Sequence, residues 1–473
     1  MPDAAGLLQR LRQRLGAPAV LSGDGLRAYE VDWRGRCAGR ALAVVLPRST
    51  AEVAEAVRLC AQAGVGLVPQ GGNTGTVLGG VPDASGAQVV LSLRPMSRIR
   101  AIEPANLTLT AEAGCSLAQV QQAAADQGLL YPLRLASEGQ CTIGGNLATN
   151  AGGTQVLRYG NTRELCLGLE VVTPAGEVWS GLSGLRKDNT GYDLRDLFIG
   201  SEGTLGIITA ATLRLFPRPM ATATAWVACA GLAQAVALLR RLRGRFDAAL
   251  TAFEVINAAA LEIVARHEPA CAAPLPPAAP WAVLLELGAS DPDAPLAATL
   301  ADELHALQQE GTLLDAAVAQ HAAQAAAFWR TREAIPTAQA RDGLNVKHDI
   351  AVPTQEVPAL VDALGPVLER RWPGARLVLF GHLGDGNLHF NVAAPAGMPA
   401  GDFLAAHEAA INAVVFDEVM RRGGSIAAEH GIGRLRREAL ARYKDPAALG
   451  LMRSIKRALD PQGLMNPGCL LTD

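Results

Sequence analysis

Three glycine-dense, low-charge segments follow one another between residues 69 and 207, and they restrict the folds open to this chain more than any other feature. The first, Pro69-Gln70-Gly71-Gly72-Asn73-Thr74-Gly75-Thr76, comes directly after Val65 to Val68, which reads as a strand. Consecutive glycines let main-chain N–H groups converge on an anion, and Asn73 and Thr74 can add side-chain donors, so the segment suits a phosphate. It is neither a Gly-x-Gly-x-x-Gly fingerprint nor a Walker loop, since no lysine follows, and nicotinamide and nucleoside-triphosphate readings lose ground. The second runs from Ser137 through Thr142-Ile143-Gly144-Gly145-Asn146 to Asn150-Ala151-Gly152-Gly153, and the third is Gly200-Ser201-Glu202-Gly203-Thr204-Leu205-Gly206-Ile207. Any one alone is as readily a string of turns. Three in one region suit a large cofactor touched along its length.

At 473 residues the chain exceeds one ordinary core, so two or three domains are expected. Ser49-Thr50-Ala51-Glu52 and Ser116 to Gln119 are capping boxes, opening helices that stop at Gly64 and Gly128. Leu7 to Leu15 reads as an amphipathic helix, and Val89 to Leu93, Leu107 to Ala111, Cys166 to Thr173 and Gly206 to Leu215 as strands. Pro217 and Pro219 mark a boundary. Beyond it, Thr222 to Cys229, Thr251 to Ile256 and Trp281 to Leu287 read as strands between Ala-rich helices, which predicts an antiparallel sheet with helices on one side. Cys271 to Pro280 reads as a Pro/Ala loop, and Leu451 to Leu459 as a terminal helix.

A net charge of -3 offers no footprint for nucleic acid, so an acidic small molecule must be held by local cations. Only four of the 42 basic residues are lysine (Lys187, Lys347, Lys444 and Lys456), so each lysine stands out. The eight cysteines show no Cys-x-x-Cys spacing, which argues against an iron–sulfur cluster, a zinc ribbon or a disulfide framework and fits a reducing cytoplasm. No secretory signal is visible. The low-charge stretch from Ala221 to Leu239 is interrupted by Thr222, Thr224, Gly231 and Gln234, and reads as a strand and a helix rather than a membrane span.

Two histidines flank a turn in Gly381-His382-Leu383-Gly384-Asp385-Gly386-Asn387-Leu388-His389-Phe390-Asn391. An Asp-Gly two-residue loop pairs Gly384 with Asn387 and His382 with His389. The imidazoles then become cross-strand neighbours with Cβ atoms about 5 Å apart, near enough to share a metal, and Asn391 lies on the same face. Ser425-Ile426-Ala427-Ala428-Glu429-His430-Gly431-Ile432-Gly433 adds a carboxylate and a third imidazole after a strand-like run. Two His and one Glu make an open metal site, although hairpin histidines are more often simple hydrogen-bonded residues.

The segments P-Q-G-G-N-T-G, T-I-G-G-N-L-A-T-N-A-G-G, Y-G-N-T-R-E, K-D-N-T-G-Y-D-L and G-S-E-G-T-L-G-I resemble the FAD-binding domain of the vanillyl-alcohol oxidase and p-cresol methylhydroxylase superfamily. G-H-L-G-D-G-N-L-H, A-E-H-G-I-G and D-P-Q-G-L-M-N-P-G resemble its D-2-hydroxy-acid dehydrogenase branch, which contains D-lactate, glycolate and D-2-hydroxyglutarate dehydrogenases. The resemblance runs from about residue 40 to 470. It implies an α+β fold: a helical segment over 1–37, a two-lobed FAD-binding domain over 38–217, a substrate domain over 218–425 carrying the metal hairpin, and a C-terminal segment over 426–473 that returns to the flavin. The substrate domain has an antiparallel sheet with flanking helices and closes over the isoalloxazine ring.

By matching positions, the resemblance places Gly71, Gly72, Asn73, Thr74 and Gly75 at the pyrophosphate. Thr142, Gly144, Gly145, Ala151, Gly152, Gly153 and Gly160 line the cofactor channel, with Glu202 and Ile207 near the adenosine half and Asn466 near the ring. The first phosphate loop contains neither His nor Cys, so dissociable FAD is expected. His382, His389 and Glu429 are the expected ligands of a divalent metal, zinc first, with manganese, cobalt or iron also compatible.

His430 is the candidate general base, its other role being a third imidazole ligand. Asn391 is placed to donate to the substrate carboxylate or to support the metal histidines. Arg332 and Lys347 match the family's substrate-binding cations, against the ordinary reading of solvated charges. Pro336 and His348 depart from the threonine and tyrosine usual there in the human-type D-2-hydroxyglutarate enzymes, which leaves D-2-hydroxyglutarate, D-lactate, D-malate or another D-2-hydroxy acid as substrate. With no redox centre beyond the flavin, an external electron acceptor is required. An alternative is a flavin subunit of a glycolate-oxidase-type complex, inactive alone; a homodimer stays open.

Overall fold

The computed structural model describes residues 4–271, 273–275 and 279–472. The chain divides into two compact units, one made of Met1–Gly152, Gly160–Arg218 and Glu429–Asp473, the other of Gly153–Tyr159 and Pro219–Ala428.

In the first unit, local signals set the helix ends. Ser49 accepts the N–H of Glu52 at 3.2 Å to open the helix Thr50–Ala63, and Gly64, at φ 63°, closes it. Ser116 and Gln119 form the reciprocal box that opens Leu117–Ala125. Thr142 caps Ile143–Thr149, which ends at Asn150 in the left-handed conformation. Two sheets form the two lobes. In the smaller, Gln88–Ser92 lies between Ala41–Val45 and Leu67–Gln70, both parallel to it, with Val20–Leu21 antiparallel at the edge. The larger is wholly antiparallel, in the order Ile99–Glu103, Thr108–Glu112, Ile207–Arg214, Cys166–Val172 and Val178–Gly181.

The helix Ala4–Leu15 seals one core by placing Leu7 and Leu11, one turn apart, against Val53, Val57, Val89 and Leu91. Each such buried side chain is worth roughly 1.5–3 kcal/mol. The C-terminal segment belongs to this unit as well. Leu67 donates to Leu464 O at 2.8 Å and accepts from Asn466 at 2.8 Å, so the chain end runs beside the strand that leads into Gly71.

The second unit is built on one antiparallel sheet, ordered Asp315–Val318, Ala221–Cys229, Trp281–Ala289, Leu250–Asn257, Arg376–Gly381, Asn387–Ala393 and Asn345–Val346, with Asp349–Ala351 also paired to Asn387–Ala393. Trp226, Ile256, Leu284, Val378 and Phe380 face a core shared with Ile263, Phe328, Ile335 and Ala338 of three helices. Residues of the other parity, Val227, Phe253, Val255, Val283 and Leu285, are also buried, and Leu232–Phe246 packs on the same strands. Helices therefore cover both faces, not the one expected, because the central strands are apolar at nearly every position and leave no face for water. The Pro/Ala loop expected over 271–280 lies partly outside the described residues.

Candidate active site

The histidine hairpin forms, but in a different register from the one an Asp-Gly loop predicts. Phe380 pairs with His389 and Val378 with Asn391, so five residues, His382 to Gly386, make the turn. Gly386 does supply a left-handed residue, at φ 82°, but it closes a short 3-10 turn over Leu383–Asp385. Tertiary contacts select this longer loop. Leu383 is buried, the Arg243 guanidinium donates to Gly384 O, and a Cβ on Gly386 would meet Val352 O at 2.1 Å. The slip is two residues, which preserves strand parity, so His382 and His389 still share a face, with ring centroids 5.7 Å apart.

Two carboxylates stand behind these imidazoles. His382 Nδ1 lies 2.6 Å from Glu254 Oε1, which commits that ring nitrogen to the carboxylate and turns Nε2 away from it. His389 Nδ1 is 4.0 Å from Asp349 Oδ1. Glu429 is the next residue after Ala428, whose N–H donates to Asp349 O at 3.2 Å, and Asp349 faces His389 across the ladder. The expected strand before Glu429 is reduced to a single bridge, Ser425 to Ala351. One ligand atom each from His382, His389 and Glu429 lies within 4.8 Å of the others, and His430 is not in that group. Two nitrogens, one carboxylate oxygen and carboxylate-backed imidazoles are donor chemistry that a divalent metal accepts. His430 Nε2 stands 3.6 Å from Glu429 Oε1.

Glu254 is the residue that sequence reasoning missed. It sits on the central strand Leu250–Asn257 with no exposed surface, and its neighbour Val255 pairs with Gly381, which brings 254 beside 382. Arg332, expected to be a substrate cation or a solvated charge, is buried and donates through Nε and Nη2 to Glu254 Oε2 at 2.9 and 2.8 Å. Its guanidinium also lies over the Phe380 ring, 4.9 Å from the centroid. Burial alone would raise the Glu254 carboxyl, but His382 and Arg332 together outweigh it and hold its pKa below the ordinary value. An isolated Glu in an apolar strand, flanked by Phe253 and Val255, was the available signal.

The other expected substrate residues differ in setting. Asn391 is buried and one N–H of its amide goes to Gln339 Oε1 at 3.0 Å. Lys347 is exposed and lies in the break between Asn345–Val346 and Asp349–Ala351 rather than in a continuous strand. Pro336 occupies the first turn of the helix Ile335–Asp342, where its missing N–H costs nothing. His348 is a packed residue, with Nδ1 2.7 Å from Phe390 O and its ring edge-on to Phe416.

In the first unit the glycine segments approach one another so closely that side chains are excluded. A Cβ on Gly71 would meet Thr142 Oγ1 at 2.3 Å, one on Gly72 would meet Gln140 O at 2.1 Å, and one on Gly144 would meet the Cβ of Ala113 at 2.7 Å. Around Gly75 and Gly139 the space is open. Asn73, at φ 54°, spends one side-chain N–H on Val31 O at 2.8 Å, which leaves its second amide N–H and its main chain to an anion. Gly160, at φ 79°, turns the chain after the second segment.

Glu202 is similarly committed: its carboxylate accepts the N–H groups of Ile432 and Gly433 at 2.8 and 2.7 Å, and burial raises its pKa against those bonds. It thereby pins the C-terminal segment. Asn466 Nδ2 donates to Gly79 O and Glu202 O at 2.9 and 2.7 Å, while its Oδ1 and the Oγ1 of Thr76 are buried without a protein partner. Such orphaned groups, with Gly71, Gly72 and Gly144 leaving no room for a side chain, fit an extended cofactor that supplies the missing bonds.

Residues 41–181 match the FAD binding domain and 218–470 the C-terminal domain of FAD linked oxidases. A D-2-hydroxyglutarate dehydrogenase of Xanthomonas citri pv. viticola is 40% identical over 94% of this chain and 92% of its own length. One of Stutzerimonas stutzeri is 37% identical over 99% of each chain, and the mitochondrial enzyme of Bos taurus is 37% identical over 97% of this chain and 82% of its own. Among solved structures, p-cresol methylhydroxylase and the 4-ethylphenol oxidase of Gulosibacter chungangensis share the fold at TM-scores of 0.73 and 0.74, each at 17% identity. They cover 99% and 100% of this chain, which covers 97% and 98% of theirs.

Proposed function

Since the chain belongs to the FAD-dependent D-2-hydroxy-acid dehydrogenases, we propose that it oxidises D-2-hydroxyglutarate or a close D-2-hydroxy acid to the 2-oxo acid and passes the electrons to an external acceptor. The observation that carries this reading is the convergence of His382, His389 and Glu429, with Glu254 and Arg332 set directly behind His382. The division of labour follows: residues 38–217 hold FAD, 218–425 bind substrate and metal, and 426–473 return to the flavin. Gly71 to Gly75, Thr142, Gly144, Gly145, Ala151 to Gly153, Gly160, Glu202, Ile207 and Asn466 would hold FAD, which when bound would supply a two-electron acceptor at N5. His382, His389 and Glu429 would hold a divalent ion, zinc by preference, which when bound would supply Lewis-acid chemistry to a substrate hydroxyl.

The chain's own groups do the rest. His430 takes the hydroxyl proton, as a neutral imidazole can near physiological pH. Asn391 donates its second amide N–H to the substrate carboxylate, and Arg332 and Lys347 hold the anion, with Arg332 offering the guanidinium donors that Glu254 does not occupy. No described helix is long and apolar enough to cross a membrane. The decisive experiment is anaerobic bleaching of the flavin against a panel of D- and L-2-hydroxy acids. Rapid bleaching by D-2-hydroxyglutarate is expected; bleaching by none of the D-acids sinks the proposal and leaves the partner-dependent subunit.

Two further results are expected here. The protein should be yellow and should release its FAD on acid or denaturant treatment, and flavin that stays with the polypeptide on a denaturing gel would contradict this. Arg332→Lys, which keeps the charge but loses the planar fork, should raise the KM for D-2-hydroxyglutarate by roughly tenfold or more, because a charged hydrogen bond is worth about 1.5–3 kcal/mol. D-lactate should suffer less if Arg332 holds the distal carboxylate. Equal losses would place Arg332 at the carboxylate both acids share and weaken the case for a dicarboxylate.

A further inference from the structure

Glu254 has no exposed surface and contacts two functional side chains at once: Oε1 takes His382 Nδ1 at 2.6 Å, while Oε2 takes Arg332 at 2.8 and 2.9 Å. A carboxylate in the middle of a sheet, among Ala252, Phe253, Val255 and Ile256, is costly unless both oxygens are satisfied, and these two partners satisfy them. Its backbone is fixed on both sides, by Leu284 of the neighbouring strand and, one residue on, by the pairing of Val255 with Gly381. The Arg332 side chain is further confined by the Phe380 ring, whose own cross-strand partner is His389. One rigid carboxylate therefore sets the orientation of an imidazole and of a guanidinium that approach from different elements.

We propose that Glu254 is the positioning residue of the site, locking His382 in the tautomer that turns Nε2 to the metal and clamping the Arg332 fork in the orientation that receives the substrate anion. The inference rests on the metal and substrate reading above. It adds that metal affinity and substrate affinity share one anchor, so a single buried substitution moves both. Outer carboxylates of this kind typically alter metal affinity by about 10–100-fold.

The test uses the purified FAD-loaded protein, stripped of metal, with zinc titrated against a chromophoric chelator, alongside KM and kcat and the FAD content. Glu254→Gln should weaken zinc by about 10–100-fold and raise the KM for D-2-hydroxyglutarate, with FAD content unchanged. Glu254→Asp keeps the charge that Arg332 requires but is one methylene shorter, and it should fall between the two. If Glu254→Gln does not fold, the Asp variant decides alone. Wild-type zinc affinity together with wild-type KM in the folded variant overturns the proposal, as does a lowered melting temperature with neither quantity moved, which marks a purely structural role. His389→Ala is the control that separates this from the reading beneath it. If wild-type protein binds no zinc, or His389→Ala binds it as well as wild type, the metal site itself is refuted.

Discussion

Replacing His382, His389 or Glu429 with alanine is expected to abolish tight metal binding and to cut turnover by about a thousandfold or more in each case, while the protein keeps its FAD. The size follows from the several kcal/mol that a metal contributes to stabilising developing charge, at about 1.4 kcal/mol for each factor of ten. The cofactor should survive because the bonds that fix Asn466, to Gly79 and Glu202, lie within the first unit and involve none of the three ligands. Metal content per flavin, measured by atomic spectroscopy, is the direct check. Chelator-treated wild-type protein should behave like the variants and recover on addition of zinc, manganese or cobalt, and the ion that restores the rate best identifies the resident metal. Active protein that contains no divalent metal would end this mechanism.

His430→Ala should slow flavin reduction by roughly 10²–10⁴-fold, the usual scale for loss of a general base, and change substrate binding little. The sign of the pH effect is fixed by the role. A base must be unprotonated to accept the hydroxyl proton, so the wild-type reduction rate should fall as the pH drops through its titration, and the variant should lack that acidic limb. Stopped-flow reduction across pH, at saturating substrate, measures both. Loss of bound zinc in His430→Ala, at a level matching His389→Ala, would instead make His430 a ligand. Its position argues otherwise, since the three converging ligand atoms belong to His382, His389 and Glu429.

How much of this was legible beforehand depends on the range of the forces involved. Helix starts at Ser49 and Ser116 are written locally, because a cap needs only an oxygen and an N–H two or three residues on. The same holds for the glycine segments, whose residues are recognisable by type, and for strand parity, which put His382, His389 and Asn391 on one face even though the turn was wrong. Their family resemblance also carried the ligand set. The five-residue turn was not legible, because Leu383, Arg243 and Val352 select it from outside the hairpin. Nor were the bonds of Asn73, Glu202 and Arg332, each of which commits side-chain atoms to a partner 42, 230 or 78 residues away. Glu254 shows the limit most plainly. A lone carboxylate in an apolar strand carries no local signature of purpose, and only the folded sheet, by laying residue 254 beside residue 382 and bringing Arg332 onto it, turns a buried charge from a liability into an anchor. Sequence by itself determined which residue types could bind flavin, metal and anion. Tertiary structure decided which of their atoms remain available, since a hydrogen bond already made within the protein cannot also be offered to a ligand.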